Sequence, residues 1–364
     1  MTWHLITGFK MILKPMKTNP FSTATRNRIM VRLASALTIC VAALSLADVC
    51  AQGTQQSSAI SASPVLESLE VDASLFTAQS FDWFDIQRQR QVPAKLYLPA
   101  AKASVGSVPL VVFSHGIGGS KDGYSYLGRY FAAHGYGSLH VQHVGSDRQL
   151  WFGNPFTLPA RLSDAAQASE ALNRVQDLRY ALDKVLDAHE GALFDRQRIA
   201  AAGHSYGANT TMLIAGAQVE QQEQKVSLRD PRISAAILIS APPFYGMGDP
   251  KKILSSIAVP TLHITATQDV IQIPGYVSGL QDRLDIFKAI GSEPAAPKVL
   301  AVFKEGSHSI FTDRAGTGGF DLNPKVKVAT RQLALAFLNG LPSNNYLAVD
   351  AWSRSNAELV ASFD

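Results

Sequence analysis

A single serine stands between two glycines in Gly203-His204-Ser205-Tyr206-Gly207. The run before it, "QRIAAAGHS" (197–205), has the apolar, small-residue character of a buried strand, and "GANTTMLIAGA" (207–217) reads as a helix. A G-x-S-x-G between strand and helix makes a sharp turn that lifts the serine hydroxyl over the end of a sheet. The flanking glycines leave room where side chains would collide with the neighbouring strand and helix. Ala200, Ala201, Ala202 and Ala208 permit the same close approach. The expected chemistry is nucleophilic attack by Ser205. A chance glycine–serine turn is the alternative, and the strand–helix context weighs against it.

A serine hydroxyl is a weak nucleophile alone; it needs a base within hydrogen-bond reach and an acid to orient that base. The sequence holds nine histidines. His134 and His189 fall at helix ends, and His263 reads as mid-strand and buried. His140 and His143, three apart on one strand, point to opposite faces and make a poor metal pair. His204 is too close to Ser205 to fold back onto it. His308, in "EGSHSIF", follows the last strand directly and is the expected base. Asp269 closes the strand "PTLHITATQD" (260–269) and is the expected acid, giving the chain order Ser…Asp…His. Asp249, deeper in a loop, is the second choice. The glycine-rich "FSHGIGGS" (113–120) also follows a strand, and the backbone N–H groups of Ile117 and Tyr206 are the expected oxyanion donors. Neither an H-E-x-x-H nor a cysteine cluster occurs, so no metal site and no cofactor are expected.

These residues need a scaffold that brings strand ends together. From residue 76 the pattern alternates strands with helices. An antiparallel hairpin is expected over 80–100, and strands over 108–116, 136–143, 197–205, 233–240, 260–269 and 297–306. Helices are expected over 123–135, about 162–189, 207–217 and 324–340. The pattern predicts an α/β fold, a mostly parallel central sheet with an N-terminal antiparallel hairpin and helices on both faces. In such sheets working residues collect beyond the carboxyl ends of the strands, where all the candidates fall. The domain reading is a leader at 1–51, a flexible linker at 52–75, a catalytic domain at 76–342 and a helical tail at 343–364.

The leader has the form of a secretory signal: Arg26, Arg28 and Arg32, then the apolar "LASALTICVAALSLA" (33–47), then Val49 and Ala51 for cleavage before Gln52. Its apolar run is short for a membrane span. Lipid anchoring through Cys50 is the alternative, and Asp48 and Val49 fit it poorly. The expected location is the periplasm or the exterior. Both cysteines, Cys40 and Cys50, lie in this segment, so the mature chain would carry no disulfide and no thiol nucleophile. Residues 1–51 also hold six of the 33 Lys/Arg and one of the 29 Asp/Glu, which leaves 27 against 28 beyond them. The net charge of +4 therefore belongs to the leader and gives no reason to expect nucleic acid as a partner.

The segments "VVFSHGIGGSKDGYSYLGRYFAAHGYGSLHVQHVGSD", "GHSYGANT", "ITATQD" and "GSHSIF" together resemble the bacterial dienelactone hydrolases of the α/β-hydrolase superfamily, and are similar to the plasma-type platelet-activating-factor acetylhydrolases. The resemblance spans roughly 80–340. It implies a serine esterase with Ser205, Asp269 and His308 as its triad and Ile117 and Tyr206 as its oxyanion hole. True dienelactone hydrolases use a cysteine where this chain has Ser205, so the dienelactone label says little about substrate.

"QLWFGNPF" (149–156) and "APPFYGMG" (241–248) place aromatic residues in loops after strands. Trp151, Phe152, Phe156, Phe244, Tyr245 and Phe311 are candidate pocket walls, although for any single one of them core packing is the better reading. As a group they suggest small apolar or short-chain esters. "AQVEQQEQKVSLRDPR" (217–232) is long enough only for a small flap. A phospholipase A2-like acetylhydrolase, a peptidase and a catalytically silent binding protein are the alternatives.

Overall fold

A computed structural model describes residues 68–364, apart from 222–223, 246–247, 274–275 and 292–295. The leader and the linker up to residue 67 lie outside the described residues. The described residues form thirteen strands and eight α-helices. The strands are β1 (Phe76–Asp85), β2 (Arg90–Pro99), β3 (Val108–Ser114), β4 (Gly137–Val141), β5 (Phe194–His204), β6 (Gln218–Gln221), β7 (Gln224–Ser227), β8 (Ile233–Ile239), β9 (Thr261–Gln268), β10 (Ile271–Ile273), β11 (Tyr276–Ser278), β12 (Lys298–Ser307) and β13 (Val360–Phe363). The helices are α1 (Ser125–Ala133), α2 (Leu158–Ala165), α3 (Ala168–Asp187), α4 (Tyr206–Ala215), α5 (Pro250–Leu254), α6 (Leu280–Ala289), α7 (Leu322–Gly340) and α8 (Leu347–Ser355).

Nine strands form one sheet in the order β1-β2-β4-β3-β5-β8-β9-β12-β13. The β1–β2, β2–β4 and β12–β13 pairs are antiparallel and the rest are parallel. The interior strands are continuous apolar runs because both faces are covered: β3, "VPLVVFS", is buried throughout. Its side chains alternate between two cores. Leu110 and Val112 join one with α3, α4, α5 and α6, and Val111 and Phe113 join the other with α1, α7 and α8. Each fully buried leucine or phenylalanine here contributes about 1.5–3 kcal/mol.

Three details differ from the sequence reading. The single helix expected over 162–189 is two, α2 and α3, with Gln167 extended between them (ψ 156°). This break lets α3 turn Glu170, Arg174 and Asp177, at i, i+4 and i+7, into the protein interior. The tail expected to be helical is a helix followed by a strand. Trp352 of α8 enters the core, and β13 adds to the sheet edge with Asp364 N–H and C=O both bonded to Leu300. The 217–232 segment holds the β6–β7 hairpin.

Register decides where the candidates sit. Gly203 of β5 lies beside Ser114 of β3, and Ser307 of β12 lies beside Gln268 of β9. Between Phe303 and Ser307, β12 carries two more residues than β9 does between Ala266 and Gln268. Glu305, at φ 66°, is part of this bulge, and its N–H bonds Thr267 Oγ1 at 2.8 Å. A bulge of this kind re-aims the residues after it, here His308.

Candidate active site

Ser205 joins β5 to α4 with φ 56° and ψ −124°, a backbone conformation that costs a non-glycine residue roughly 1–3 kcal/mol. Its neighbours impose it. Ser205 N–H donates to Ile239 O at 2.9 Å, and Ser205 O accepts from Ala208 N–H at 2.8 Å. Both glycines of the motif are required sterically: a Cβ on Gly203 would overlap the Gly207 carbonyl, and one on Gly207 would overlap the Ser114 carbonyl.

His308 bridges the other two candidates. Its Nε2 lies 2.9 Å from Ser205 Oγ and its Nδ1 lies 2.7 Å from Asp269 Oδ1. With Nδ1 donating to the carboxylate, Nε2 is free to accept the Ser205 proton. Asp269 is fully buried, whereas the His308 side chain is 19% exposed. Burial alone would raise the Asp269 carboxyl. The hydrogen bond and charge of His308, the Arg283 guanidinium and Thr265 Oγ1 outweigh it and hold the group below the usual carboxylate range. Asp249, the second choice, is the N-cap of α5, where its side chain accepts from Lys251 N–H at 2.9 Å.

The Ile117 and Tyr206 N–H groups have no hydrogen-bond partner among the described residues. The loop that carries Ile117 is fixed from below. Arg174, fully buried, donates to Ser114 Oγ, Ser146 Oγ, Thr210 Oγ1 and the His115 carbonyl, and its guanidinium lies 4.5 Å from the Tyr206 ring centroid. Burial lowers the guanidinium to about 10, so it stays charged at neutral pH. His115 Nδ1 donates to Gly116 O at 2.7 Å, and its Nε2 accepts from His143 N–H at 3.1 Å.

Ser114, His143 and Asp177 form a second Ser-His-Asp chain, with bonds of 2.9 and 3.1 Å. All three are 0% exposed, so substrate has no access, and Arg88 and Arg90 also bond Asp177. This chain supports the loop from inside.

His204, passed over in sequence because it cannot reach Ser205, has a different place. Its Nδ1 accepts from Tyr124 O–H at 2.8 Å, and Tyr124 Oη accepts from Gly116 N–H at 3.3 Å. Its Nε2 donates to His308 O at 2.9 Å. Burial, then the nearby His308, push His204 down to about 3, so it is neutral. Thr265, Arg283 and Tyr124 carry no signal in the sequence, and Arg174 only a faint one. They act across the fold and sit in ordinary helical and strand patterns. A charged stripe at 170, 174 and 177 on an otherwise apolar helix face was the one available hint.

The pocket candidates divide. Trp151 is 46% exposed, its Nε1–H donates to Gly118 O at 2.8 Å, and it therefore lies on the Ile117 loop. Phe152, Phe156 and Tyr245 are also exposed, and Phe244 packs partly buried against the core. Phe311 is a correction: it is fully buried, 6.0 Å from the Phe303 ring and 6.2 Å from His204, and is core rather than pocket wall.

Residues 89–149 match the family model described as platelet-activating factor acetylhydrolase, isoform II. The match spans β2, β3, α1, β4 and the Ile117 loop and stops before Ser205. Among solved structures, a ferulic acid esterase from Streptomyces cinnamoneus superposes with a TM-score of 0.50 at 19% identity, covering 73% of this chain and 90% of that one. The chain has the α/β-hydrolase fold. No curated protein matches its sequence. Among the described residues no helix of this chain is long and apolar enough to cross a membrane.

Proposed function

We propose that this chain is a serine carboxylic-ester hydrolase acting through Ser205, His308 and Asp269. The observation that carries the reading is the position of His308, 2.9 Å from Ser205 Oγ and 2.7 Å from a buried carboxylate. The family match and the esterase neighbour support an ester-bond hydrolase.

In this reading Ser205 Oγ attacks the ester carbonyl carbon while His308 Nε2 takes its proton. The carbonyl electrons move onto oxygen, and the N–H groups of Ile117 and Tyr206 receive that charge. Each such donor is worth roughly 3–4 kcal/mol in the transition state. Asp269 stabilises the imidazolium without accepting its proton. Collapse expels the alcohol, which takes the proton from His308 and leaves an acyl group on Ser205. Water, deprotonated by His308, repeats the attack and releases the acid.

Trp151, Phe152 and Tyr245 support apolar or short-chain esters as substrates. The match over 89–149 favours one second reading, a phospholipase A2-like acetylhydrolase of short acyl chains. Export through the leader at 1–51 belongs to the same proposal, and a secreted protein beginning at Gln52 would bear it out.

The test is hydrolysis of p-nitrophenyl esters from acetate to decanoate by wild type and Ser205→Ala. The expected result is turnover by the wild type, weighted to short chains and abolished by the substitution. Equal rates from both proteins would overturn the reading. A short-chain sn-2 phospholipid run in parallel separates the second reading.

A further inference from the structure

Asp269 receives four donors on its two oxygens. Oδ1 accepts from His308 Nδ1 at 2.7 Å and from Arg283 Nη2 at 3.3 Å. Oδ2 accepts from Thr265 Oγ1 at 2.7 Å and from Arg283 Nε at 3.5 Å. An ionised carboxylate offers about four lone-pair sites, so this one is saturated. Arg283, on α6, is only 3% exposed, and its remaining arm donates to Ser278 Oγ at 2.8 Å. A buried guanidinium is thus clamped on the same carboxylate that faces the imidazole.

We propose that Arg283 sets the basicity of His308 by sharing the charge of Asp269. The inference rests on the triad reading given above. A carboxylate that faces an imidazole alone stabilises the imidazolium with its full charge. Here the guanidinium offsets part of that charge at hydrogen-bond distance in a water-poor setting, where charge interactions are strong. The imidazolium is stabilised less, so His308 remains a neutral base to lower pH. Arg283 is a positioning residue: it touches Asp269 and not the reacting atoms.

The groups that face this cluster are few. Ser205 and neutral His204 face His308 from the end of β5, the His204 and His308 rings lying 4.7 Å apart. Thr265 faces Asp269 from β9, and Ser278 and Tyr276 lie towards Arg283 from β11. On α6 itself Asp282 is engaged with Gly279 N–H at 2.8 Å, and Asp285 with Gln281. Arg283 is therefore the cation placed to act on Asp269.

The test measures the acid limb of kcat/KM against pH for wild type, Arg283→Lys, and two neutral variants, Arg283→Gln and Arg283→Met. In parallel, proton NMR follows the hydrogen-bonded Nδ1 proton of His308, assigned by its loss in His308→Ala. Both neutral variants are expected to move the limb and the NMR midpoint upward by roughly one pH unit, and the lysine variant to keep both near wild type. Two neutral side chains guard against a folding defect in either one. A neutral variant with a lower kcat but an unmoved limb and midpoint would overturn the proposal, leaving Arg283 a structural clamp. So would a lysine variant shifted as far as the neutral ones. If the wild type turned over no ester, the triad reading would fail, while the NMR midpoints would still decide the role of Arg283.

Discussion

His204 Nε2–H donates to the main-chain carbonyl of His308 at 2.9 Å, so the residue before the proposed nucleophile holds the backbone of its base. Through its other nitrogen the same ring reaches Tyr124 and then the Gly116 N–H, one residue from Ile117. A neutral imidazole bonded at both nitrogens thus ties the Ile117 loop to the His308 loop across the strand end that carries Ser205. Replacing His204 by alanine is expected to lower kcat about tenfold to a hundredfold with KM little changed, because an ordered base is lost and not a binding contact. Tyr124→Phe, which removes only the middle bridge, is expected to cost about 1 kcal/mol of transition-state stabilisation. Steady-state kinetics on one short-chain ester checks both.

Arg174 gives a stability prediction. Its charge is fully buried, and its donors satisfy two serine hydroxyls, a threonine hydroxyl and the His115 carbonyl. Arg174→Met removes these bonds and leaves the buried carboxylates of Glu170 and Asp177 with one cation fewer. The expected loss is about 3–5 kcal/mol, read as a fall in the urea midpoint with an unchanged m-value.

Buried histidines give a pH dependence of stability. Burial holds His140 at about 4, His143, His204 and His263 at about 3, and His115 well below its ordinary value. In the unfolded chain a histidine titrates near pH ~6.5. Between that pH and the folded values the unfolded state binds more protons, so stability falls as pH drops through this window. Each such histidine contributes up to about 1.4 kcal/mol per pH unit. Asp269 and Asp177, both held below the ordinary carboxylate range, add the same sign of dependence at lower pH. The thermal midpoint should fall steeply from pH 7 to pH 4 and change little from pH 7 to pH 8. Calorimetry across that range checks it, and a flat midpoint from pH 7 to pH 4 would contradict the buried, neutral state of these rings.

The residues legible in the sequence are those whose signal is local. Ser205 stands out by flanking glycines after a strand, and Asp269 and His308 by standing where strands stop, and the structure brings the three side chains together. The central strands were legible because runs such as β3 are apolar throughout. What escaped depends on partners far away in sequence. Arg283 sits in an ordinary helix and means something only once α6 packs under Asp269. The α2–α3 break involves Ala166 and Gln167, both sound helix formers, so propensity gave no warning. Strand β13 is four residues long, and its pairing with β12 is what makes it a strand. Phe311 reads as pocket wall in sequence because an aromatic one turn from His308 looks the same whether it faces solvent or core.

The central claim is that Ser205 is a nucleophile activated by His308. Labelling with a fluorophosphonate, followed by peptide mass spectrometry, tests it without knowledge of the natural substrate. The expected result is one adduct, on the peptide containing Ser205, formed fast in wild type and slowed at least about a hundredfold in His308→Ala, the usual scale of general-base assistance. An adduct on another residue, or labelling of Ser205 at the same rate without His308, would contradict it.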